Sequence, residues 1–293
     1  NTKKIKKTLE SLEIKTKYSI KIEDITKYYK HNPDAHVKGG RKNGLQILKN
    51  IKVYNNYDEK RNYLTYSTTN LSAYINLGLL SIREIYYTIY NEINKNSGII
   101  TELYWRDFYY NILYHFPDNI GASFKKEYDK IKWNKDPINF TKWAKGETGF
   151  PVVDAAMRQM NTTGYMHNRG RMIVASFLTK DLLIDWREGE KYFATQLIDY
   201  NMSANNGGWQ WAAGSGTDAQ PYFRIFNPWT QSKNFDPECQ YIKKWVPELQ
   251  EVPPKDIHNW NKCHKDYEGI YIKPIFDHDE ARKKTLVAYK KYL

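Results

Sequence analysis

The sequence predicts an all-α fold, and three observations carry this prediction. Beyond residue 70, apolar residues recur at the three- and four-residue spacing of a helix. Strand-like alternation is scarce, and no GxGxxG fingerprint follows a strand. No tract of low complexity and no repeat with a period of about 20–50 residues is found. We therefore expect one multi-helical domain, because 293 residues with 41% apolar content suffice to bury a core.

The amino-terminal part reads as a separate basic segment. Residues 1–30 are charged and only weakly amphipathic, and the Asn32-Pro33-Asp34 and Gly39-Gly40 breakers follow them. We therefore expect a basic segment or linker over residues 1–38 and the helical domain over residues 39–293.

Helical periodicity then predicts a series of helices in chain order. A polar loop over Tyr57–Thr69 separates the first from the others. The helix that begins at Pro151 has its proline in the first turn, where a missing backbone N–H costs no hydrogen bond within the helix. The predicted helices are Gly44–Tyr54, Leu71–Leu80, a stripe over Ile82–Ile89, an aromatic helix over Leu103–Tyr114, Pro151–Met160, Met172–Trp186 and Tyr192–Ile198.

The composition is basic and rich in aromatic residues. The formal net charge is +12, and 15% of the residues are aromatic, including 9 Trp and 25 Tyr. Such a surface suits a polyanion whose bases can be stacked. However, residues 1–60 hold 15 Lys and Arg against 7 Asp and Glu, so much of the surplus lies in a segment that can equally be a solvated face.

The cysteine content and the hydropathy of the sequence indicate the cellular compartment of the protein. The two cysteines, Cys239 and Cys263, cannot build a disulfide framework and indicate a reducing compartment. No apolar run is long enough for a membrane span or a secretory signal. We therefore expect an intracellular protein, in cytoplasm or nucleus, without a membrane partner. The chain begins without Met, which suits a fragment, a truncation or one half of a split protein.

Two clusters of unusual residues stand out. In Asn205–Trp211, two amides and two glycines precede tryptophans two positions apart, which on a helix point about 200° apart. One indole would then face the interior and the other a cavity, although a core role for both is equally plausible. In Gly164–Met172, two arginines precede an apolar helix. Asp199 is the natural partner for one of them, as a structural ion pair or as a pair beside a cofactor.

Four ordered motifs resemble the FAD-binding domain of the photolyase/cryptochrome family. They are Gly149–Arg158 (GFPVVDAAMR), Met166–Arg169 (MHNR), Lys180–Arg187 (KDLLIDWR) and Asn205–Trp211 (NNGGWQW), and Tyr222–Pro228 (YFRIFNP) extends the match. The resemblance runs from about Gly39 to the last residue and is strongest to photolyases for cyclobutane pyrimidine dimers.

The resemblance implies an all-helical domain that holds FAD, folded back on itself, in a central cavity. Excited, fully reduced FAD would donate an electron to a pyrimidine dimer flipped out of DNA. The expected partner is therefore DNA that contains pyrimidine dimers. The family's amino-terminal α/β domain has no counterpart before Gly39, so no antenna chromophore is expected on this chain alone. A separate chain could supply that domain, and we expect a monomer.

The resemblance also implies a cofactor set. The family's phosphate-binding positions match Tyr57 and the Thr68–Ser72 turn, although an ordinary helix cap is the alternative. Asn205 matches the residue beside flavin N5, where an amide can donate or accept. The implied cofactor residues are Tyr57, Thr68, Thr69, Asn70, Leu71, Ser72, Arg171, Asp199, Asn201 and Asn205. Asn70 departs from a frequent Arg, and Asn201 from a frequent Asp.

Further residues match the family's lesion-binding, DNA-binding and electron-transfer positions. Each has a plain alternative, since Met and Trp are more often core residues and an Arg is usually solvated. The implied lesion-binding residues are Glu102, Trp105, Asn168, Met172 and Trp211. The implied DNA-backbone residues are Arg61, Arg169, Arg224 and Gln231. The implied tryptophan chain, which would pass electrons to FAD, is Trp133, Trp186 and Trp209.

Other functions remain open. A cryptochrome-type photoreceptor is disfavoured by Asn205, because plant cryptochromes place an acid there and insect ones a thiol. Repair of the (6-4) photoproduct is disfavoured by Asn168, where those enzymes have His. A degenerate nucleic-acid-binding protein without FAD would explain Asn70 and Asn201.

Overall fold

The structure, a computed structural model, describes residues 22–28 and 30–291, and this part of the chain contains helices and loops but no strand. The all-α prediction is confirmed. The amino-terminal pattern over residues 1–21 lies outside the described residues. Among the described helices, none combines the length and apolar character that crossing a bilayer requires.

Sixteen α-helices follow one another in this part of the chain, joined by loops and short helical turns. They are α1 (Ile22–Ile25), α2 (Arg41–Lys49), α3 (Tyr57–Lys60), α4 (Ser72–Asn76), α5 (Ile82–Glu92), α6 (Gly98–His115), α7 (Pro137–Lys145), α8 (Pro151–Thr163), α9 (Asn168–Ser176), α10 (Trp186–Gln196), α11 (Met202–Ala213), α12 (Pro228–Phe235), α13 (Gln240–Trp245), α14 (Pro254–Ile257), α15 (Trp260–Cys263) and α16 (His278–Lys290). The 3₁₀ turns are Thr26–Tyr28, Ile51–Tyr54, Pro117–Asn119, Lys126–Lys130, Pro247–Leu249 and His264–Tyr267, and Phe177–Asp181 is a π turn.

The predicted continuous helix over Met172–Trp186 is wrong. Helix α9 ends at Ser176, the π turn follows, and Leu183 adopts a left-handed backbone with φ of 51°. Helix α10 then begins at Trp186, where the Asp185 side chain accepts a hydrogen bond from the Arg187 N–H. Periodicity missed the break because Leu182–Ile184 are buried outside any helix, so their apolar character continues the pattern.

Three smaller differences concern the helix ends near the amino terminus. The predicted Gly44–Tyr54 helix is interrupted at Asn50, after which a 3₁₀ turn continues. The predicted Tyr57–Thr69 loop begins with the short helix α3. The predicted Leu71–Leu80 helix stops at Asn76, because the N–H groups of Leu79 and Leu80 both turn back to the Tyr74 carbonyl.

Two clusters of buried side chains form the core. The larger surrounds α8, which packs against α7, α9, α12 and α13 and buries most of its circumference. The smaller lies between α2, α5 and α6 and contains Ile85, Ile89 and Leu103. Helix α6 links the two clusters, because its first turns are buried in the smaller one while its later residues pack on α11. The functional candidates lie where the clusters meet.

Part of the predicted amino-terminal linker packs on this core. The Asn32 side-chain amide donates to the Thr162 carbonyl at 2.9 Å, and the His36 N–H donates to the Thr163 carbonyl at 3.0 Å. The Tyr74 hydroxyl donates to the Lys38 carbonyl at 2.6 Å. Residues 32–38 are therefore fastened to the end of α8 and to α4, and the domain boundary at residue 38 stays a prediction.

Candidate functional site

Two adjoining cavities lie between α4, α6, α9 and α11. The first, of about 380 Å³, has walls of Trp105, Tyr109, Phe193, Trp209 and Trp211, and we call it the aromatic cavity. The second, of about 330 Å³, is lined by Tyr57, Tyr165 and the Thr68–Ser72 turn, and we call it the hydroxyl cavity. They share the side chains of Glu102, Arg106, Asn168, Arg171, Asp199, Asn201 and Ala204. Each lies within the usual size range of ligand pockets, about 300–1,000 Å³.

Helix α11 presents its two tryptophans to different surroundings. Trp209 is 2% exposed and packs edge-on against Phe193 at 5.0 Å and Trp143 at 6.0 Å. Trp211 is partly buried, lines the aromatic cavity and lies 6.3 Å from Phe226. The prediction that the two indoles diverge agrees with their surroundings: Trp209 is packed in the core and reaches the cavity from there, whereas Trp211 is only partly buried at the cavity wall.

Arg171 and Asp199 form an ion pair on the wall shared by both cavities. The Arg171 Nη2 lies 3.0 Å from Asp199 Oδ1 and 2.9 Å from Oδ2, and its Nε donates to the Met166 carbonyl at 2.8 Å. The Asp199 side chain is 4% exposed, whereas that of Arg171 is 26% exposed. The pair therefore fixes the guanidinium while leaving part of it open to a ligand. Pairing also compensates the cost of burying the carboxylate.

The Asn205 amide is oriented by Glu190. Its Nδ2 donates to the Glu190 carbonyl at 3.1 Å and to Glu190 Oε1 at 2.9 Å. Both Glu190 atoms are acceptors, so the amide nitrogen must face them and Oδ1 remains for the aromatic cavity. The Tyr200 hydroxyl also donates to Glu190 Oε1, at 3.2 Å. Among the described residues Asn205 Oδ1 accepts no hydrogen bond, so Asn205 offers the cavity an acceptor.

The Thr68–Ser72 turn does not act as an ordinary helix cap. Helix α4 begins after Leu71 without a side-chain capping hydrogen bond. Asn70 has a left-handed backbone with φ of 54°, which Asn tolerates better than most residues. The hydroxyls of Thr69 and Ser72 make no side-chain hydrogen bond within the described part of the chain. These hydroxyls remain available in the hydroxyl cavity, and burial raises the pKa of the Tyr57 phenol beside them.

Both polar atoms of the Asn201 side-chain amide form hydrogen bonds. Its Oδ1 accepts from the Ala204 N–H at 3.0 Å and caps α11, and its Nδ2 donates to Asn76 Oδ1 at 2.8 Å. Nδ2 also donates to the Tyr110 hydroxyl. Asn201 lines both cavities, but the side chain is committed to holding α11 against α4 and α6.

The predicted lesion-binding residues meet at the aromatic cavity. Trp105, Asn168, Met172 and Trp211 all line it, together with Glu102. Trp105 remains 39% exposed, as expected for a residue at a cavity mouth. The weak contact of Asn168 Nδ2 with the Met172 sulfur, 3.7 Å, joins successive turns of α9. The structure therefore gathers a set of residues that are separated by more than one hundred positions in sequence.

Glu102 is the acidic group at this mouth. It forms an ion pair with Arg61, and about two fifths of each side chain stays exposed. Burial of the carboxyl raises the pKa of Glu102, and the Arg61 guanidinium opposes this shift.

The four predicted DNA-backbone residues have different surroundings. Arg61 pairs with Glu102 at the cavity mouth, and its guanidinium lies 5.9 Å from the Tyr57 ring centroid. Arg169 donates to Asn62 Oδ1 at 2.6 Å and lies over the Phe235 ring at 4.2 Å. Arg224 is exposed on the loop before α12, and Gln231 lies within α12 with a buried Oε1 that has no partner among the described residues. Their joint role stays a prediction.

Two of the three predicted chain tryptophans are buried, and the third is partly exposed. Trp209 belongs to the cavity wall, and Trp186 is 1% exposed at the start of α10 with the Arg187 guanidinium 4.9 Å from its ring centroid. Trp133 is half-buried and lines a separate groove, which Asp185 also lines. The electron-transfer role of these three residues stays a prediction.

Sequence reasoning missed several residues of the site. Tyr109 lies one turn after Trp105 on α6, a spacing that predicts a shared face, and burial with nearby Asp218 and Glu102 raises its pKa to about 12. Asp218 lines the aromatic cavity from the loop after α11, and Glu190 supports Asn205 from α10. No local sequence pattern identifies Asp218 or Glu190 as site residues, because their roles depend on distant parts of the chain.

Comparison with known proteins identifies the same family that the sequence motifs resemble. A family model described as the FAD binding domain of DNA photolyase matches residues 99–291. The deoxyribodipyrimidine photo-lyase of Escherichia coli K12 is 47% identical over 244 residues, covering 80% of this chain and 52% of the relative. The enzyme of that name from Alkalihalophilus pseudofirmus is 51% identical over 236 residues, covering 76% of this chain and 49% of the relative. The chain therefore spans about half the length of these curated relatives.

Solved structures from the same family also superpose on this chain. An archaeal photolyase from Sulfolobus tokodaii, described as containing two FAD molecules, superposes with a TM-score of 0.84 at 39% identity, covering 94% of this chain and 61% of that one. A Synechocystis cryptochrome superposes with a TM-score of 0.79 at 32% identity, covering 89% and 58% of the respective chains.

Proposed function

The chain belongs to the photolyase/cryptochrome family, whose FAD-binding domain it contains, and from this premise we propose that it repairs cyclobutane pyrimidine dimers in DNA by light-driven electron transfer from reduced FAD. One observation carries the proposal. The two indoles of Trp105 and Trp211 line the same cavity as Glu102 and Asn205, and Arg171 joins this cavity to the hydroxyl cavity. A stacking site for a base thus adjoins a site suited to a nucleotide cofactor.

The residues present fit FAD. The hydroxyl cavity offers Thr68, Thr69 and Ser72, which can donate to phosphate oxygens, and Arg171 adds a partly exposed positive charge. The Asn205 oxygen, held outward by Glu190, would accept a hydrogen bond from an N–H on the flavin edge. When bound, reduced FAD supplies the light-excited electron that splits the dimer.

The chain's own residues would then act by positioning and electrostatics. The Arg171 guanidinium, neutralised on one side by Asp199, would stabilise negative charge on a reduced ring system. Phe193, Trp209 and Leu197 form an apolar wall that limits water beside the reacting groups.

Recognition of the lesion would rely on stacking. Flipping a nucleotide out of a duplex costs a few kcal/mol and least at a damaged step. Stacking on Trp105 and Trp211 can return about 1–3 kcal/mol per base. The ionised Glu102 carboxylate, held by Arg61, can accept a hydrogen bond from an imide N–H of thymine. Undamaged, paired bases would not reach these groups.

The tryptophan path and the DNA-backbone residues complete the proposal. Trp133, Trp186 and Trp209 would carry an electron inward from the half-buried end to the cavity wall. The DNA backbone would be positioned by Arg61, Arg169, Arg224 and Gln231, and the net charge of +12 favours binding of a polyanion.

We further propose that the protein is a monomer in a reducing intracellular compartment. We also propose that the helical domain over residues 39–293 binds no antenna chromophore by itself.

A photoreceptor without repair activity is the second candidate, favoured by the likeness to the Synechocystis cryptochrome. The stacking site at the cavity mouth and the curated relatives named as photo-lyases favour repair.

The test uses the purified chain loaded with reduced FAD and an oligonucleotide that contains one thymine dimer. Blue light should restore thymine absorbance, and darkness should not. Trp105→Ala and Trp211→Ala should each lower dimer affinity about tenfold or more, since each removes one stacking surface. Tyr114→Ala is the matched control, because Tyr114 is 81% exposed on the same helix as Trp105. A chain that binds FAD yet restores no absorbance would support the photoreceptor, and a chain without flavin absorbance would support the FAD-free alternative.

A further inference from the structure

We propose that His36 is a positioning residue for the cofactor site, which clamps the Ser67–Asn70 part of the phosphate-binding turn and thereby strengthens FAD binding. The inference rests on the proposed function, because FAD is the ligand whose affinity it concerns. It assigns a role to a residue of the basic amino-terminal segment, which the family motifs do not include.

Three contacts hold the His36 ring in one place. The imidazole stacks on the Tyr165 ring with centroids 3.9 Å apart and planes inclined by 4°. Its Nε2 lies 2.9 Å from Asn70 Oδ1. The backbone N–H of His36 donates to the Thr163 carbonyl at 3.0 Å, at the carboxyl end of α8. The ring is therefore fixed from its own backbone, from one face and from one edge.

The direction of the hydrogen bonds can be worked out from their partners. Asn70 Nδ2 donates to the Ser67 hydroxyl at 3.0 Å, so Asn70 Oδ1 is the atom that faces His36. A carbonyl oxygen only accepts, which makes His36 Nε2–H the donor. The bonds thus run from His36 to Asn70 and from Asn70 to Ser67, and they brace the turn across its left-handed residue.

The same ring also reaches the other side of the site through Tyr165. The Tyr165 hydroxyl lies 3.3 Å from the Thr68 hydroxyl, and the Arg171 guanidinium lies 5.4 Å from the Tyr165 ring centroid. His36 therefore supports one aromatic ring that contacts both the turn and the cavity cation. Losing His36 would release Asn70 directly and loosen Tyr165 against Arg171.

The turn has a particular need for such support. From Ser67 to Ser72 it contains no Lys or Arg, and α4 begins without a side-chain cap. Neutral hydroxyls and amides bind an anion well only when they already point toward it, because ordering them on binding costs affinity. A clamp that presets Asn70 and Thr68 replaces part of what a charged side chain would otherwise supply.

The test measures FAD affinity directly, by titrating the apo-protein with FAD and following flavin fluorescence. His36→Phe keeps an aromatic ring for the stack and removes the donor, whereas His36→Ala removes both. We expect His36→Phe to raise the Kd for FAD about threefold to tenfold, the usual worth of one neutral hydrogen bond, and His36→Ala to raise it further. His31→Ala is the matched control, an exposed histidine of the same segment, and should leave the Kd unchanged.

A double-mutant cycle identifies the route of the effect. If His36 acts through Asn70, His36→Phe should cost little in an Asn70→Ala background, so the two losses should not multiply. The thermal midpoint of the apo-proteins separates positioning from general stability, because a merely structural role would lower the midpoint and leave the Kd unchanged. Kd values within twofold of the wild type for both His36 variants, or losses that multiply fully with Asn70→Ala, would overturn the inference. A wild-type chain that binds no FAD would instead refute the proposed function, and with it this inference.

Discussion

Glu190 orients Asn205: the Asn205 Nδ2 donates to both the backbone carbonyl and the Oε1 of Glu190, at 3.1 and 2.9 Å. The amide oxygen is thereby directed to the aromatic cavity. A residue that does not line the cavity thus decides whether the ligand meets a donor or an acceptor there.

Glu190→Gln should weaken the preference for the Asn205 oxygen, and not its nitrogen, to face the aromatic cavity. The new amide can donate as well as accept, so Asn205 could turn and present its nitrogen. We expect FAD to bind, but the reduced protein to reoxidise several-fold faster and repair to slow, as followed by flavin absorbance under air. Glu147→Gln, at an exposed position, is the control and should behave as the wild type. Unchanged reoxidation in Glu190→Gln would show that Asn205 is held by other means.

Trp186 should matter for photoreduction but not for repair by the reduced protein. The Trp186 side chain is 1% exposed, so Phe can occupy most of its space but is much harder to oxidise. Trp186→Phe should lower the yield of flavin photoreduction about tenfold or more, measured by absorption after a blue flash. Protein reduced chemically in advance should repair dimers normally. Trp229→Phe, stacked on Phe150 in the core, controls for the loss of an indole, and equal losses in both variants would refute the path.

Gly189 allows the close contact of α10 with Trp209. A Cβ at this position would lie 2.2 Å from the Trp209 ring, so Gly189→Ala must displace the indole or the helix. Overpacking of this kind typically costs about 1–3 kcal/mol. We expect urea denaturation to show that loss in the free energy of unfolding of the apo-protein. Gly208→Ala in α11, whose added Cβ would meet no atom within 4 Å, should not be destabilised, and a similar loss there would contradict the steric explanation.

Asp154 should make stability depend on pH. Its buried carboxyl accepts hydrogen bonds from the Thr148 and Gly149 N–H groups, yet burial raises its pKa from 3.8 to about 6. The folded state therefore binds more protons than the unfolded state between these values. The contribution of this group is present in full below about pH 4 and is lost as pH rises through about 6.

The slope is measurable by urea denaturation across this range. It should approach about 1.4 kcal/mol per pH unit at most, the value for one proton. In Asp154→Asn that part of the slope should vanish, and the free energy of unfolding should fall by about 1–3 kcal/mol because Asn Nδ2 cannot accept. Asp34→Asn, at an exposed position, should retain the slope, and an unaltered slope in Asp154→Asn would assign it to other groups.

Much of the site could be predicted, because the residue types that bind a cofactor or stack a base are visible in sequence. Arg171 with Asp199, and Trp105 with Trp211, do share the recess that the motifs implied. The cap alternative for the Thr68–Ser72 turn failed, because its side chains contact His36 and Tyr165 instead of the α4 backbone.

The helical class, the course of α8 and the identity of the candidate site residues could be inferred from the chain alone, since periodicity and residue chemistry are local properties. The folded arrangement was needed to show that α9 ends at Ser176, that Asn205 presents its oxygen, and that His36 contacts Asn70. Each of these outcomes depends on partners or packing supplied by other parts of the chain. Hydrogen-bond direction and burial are set by such neighbours, and they exist only after the chain has folded.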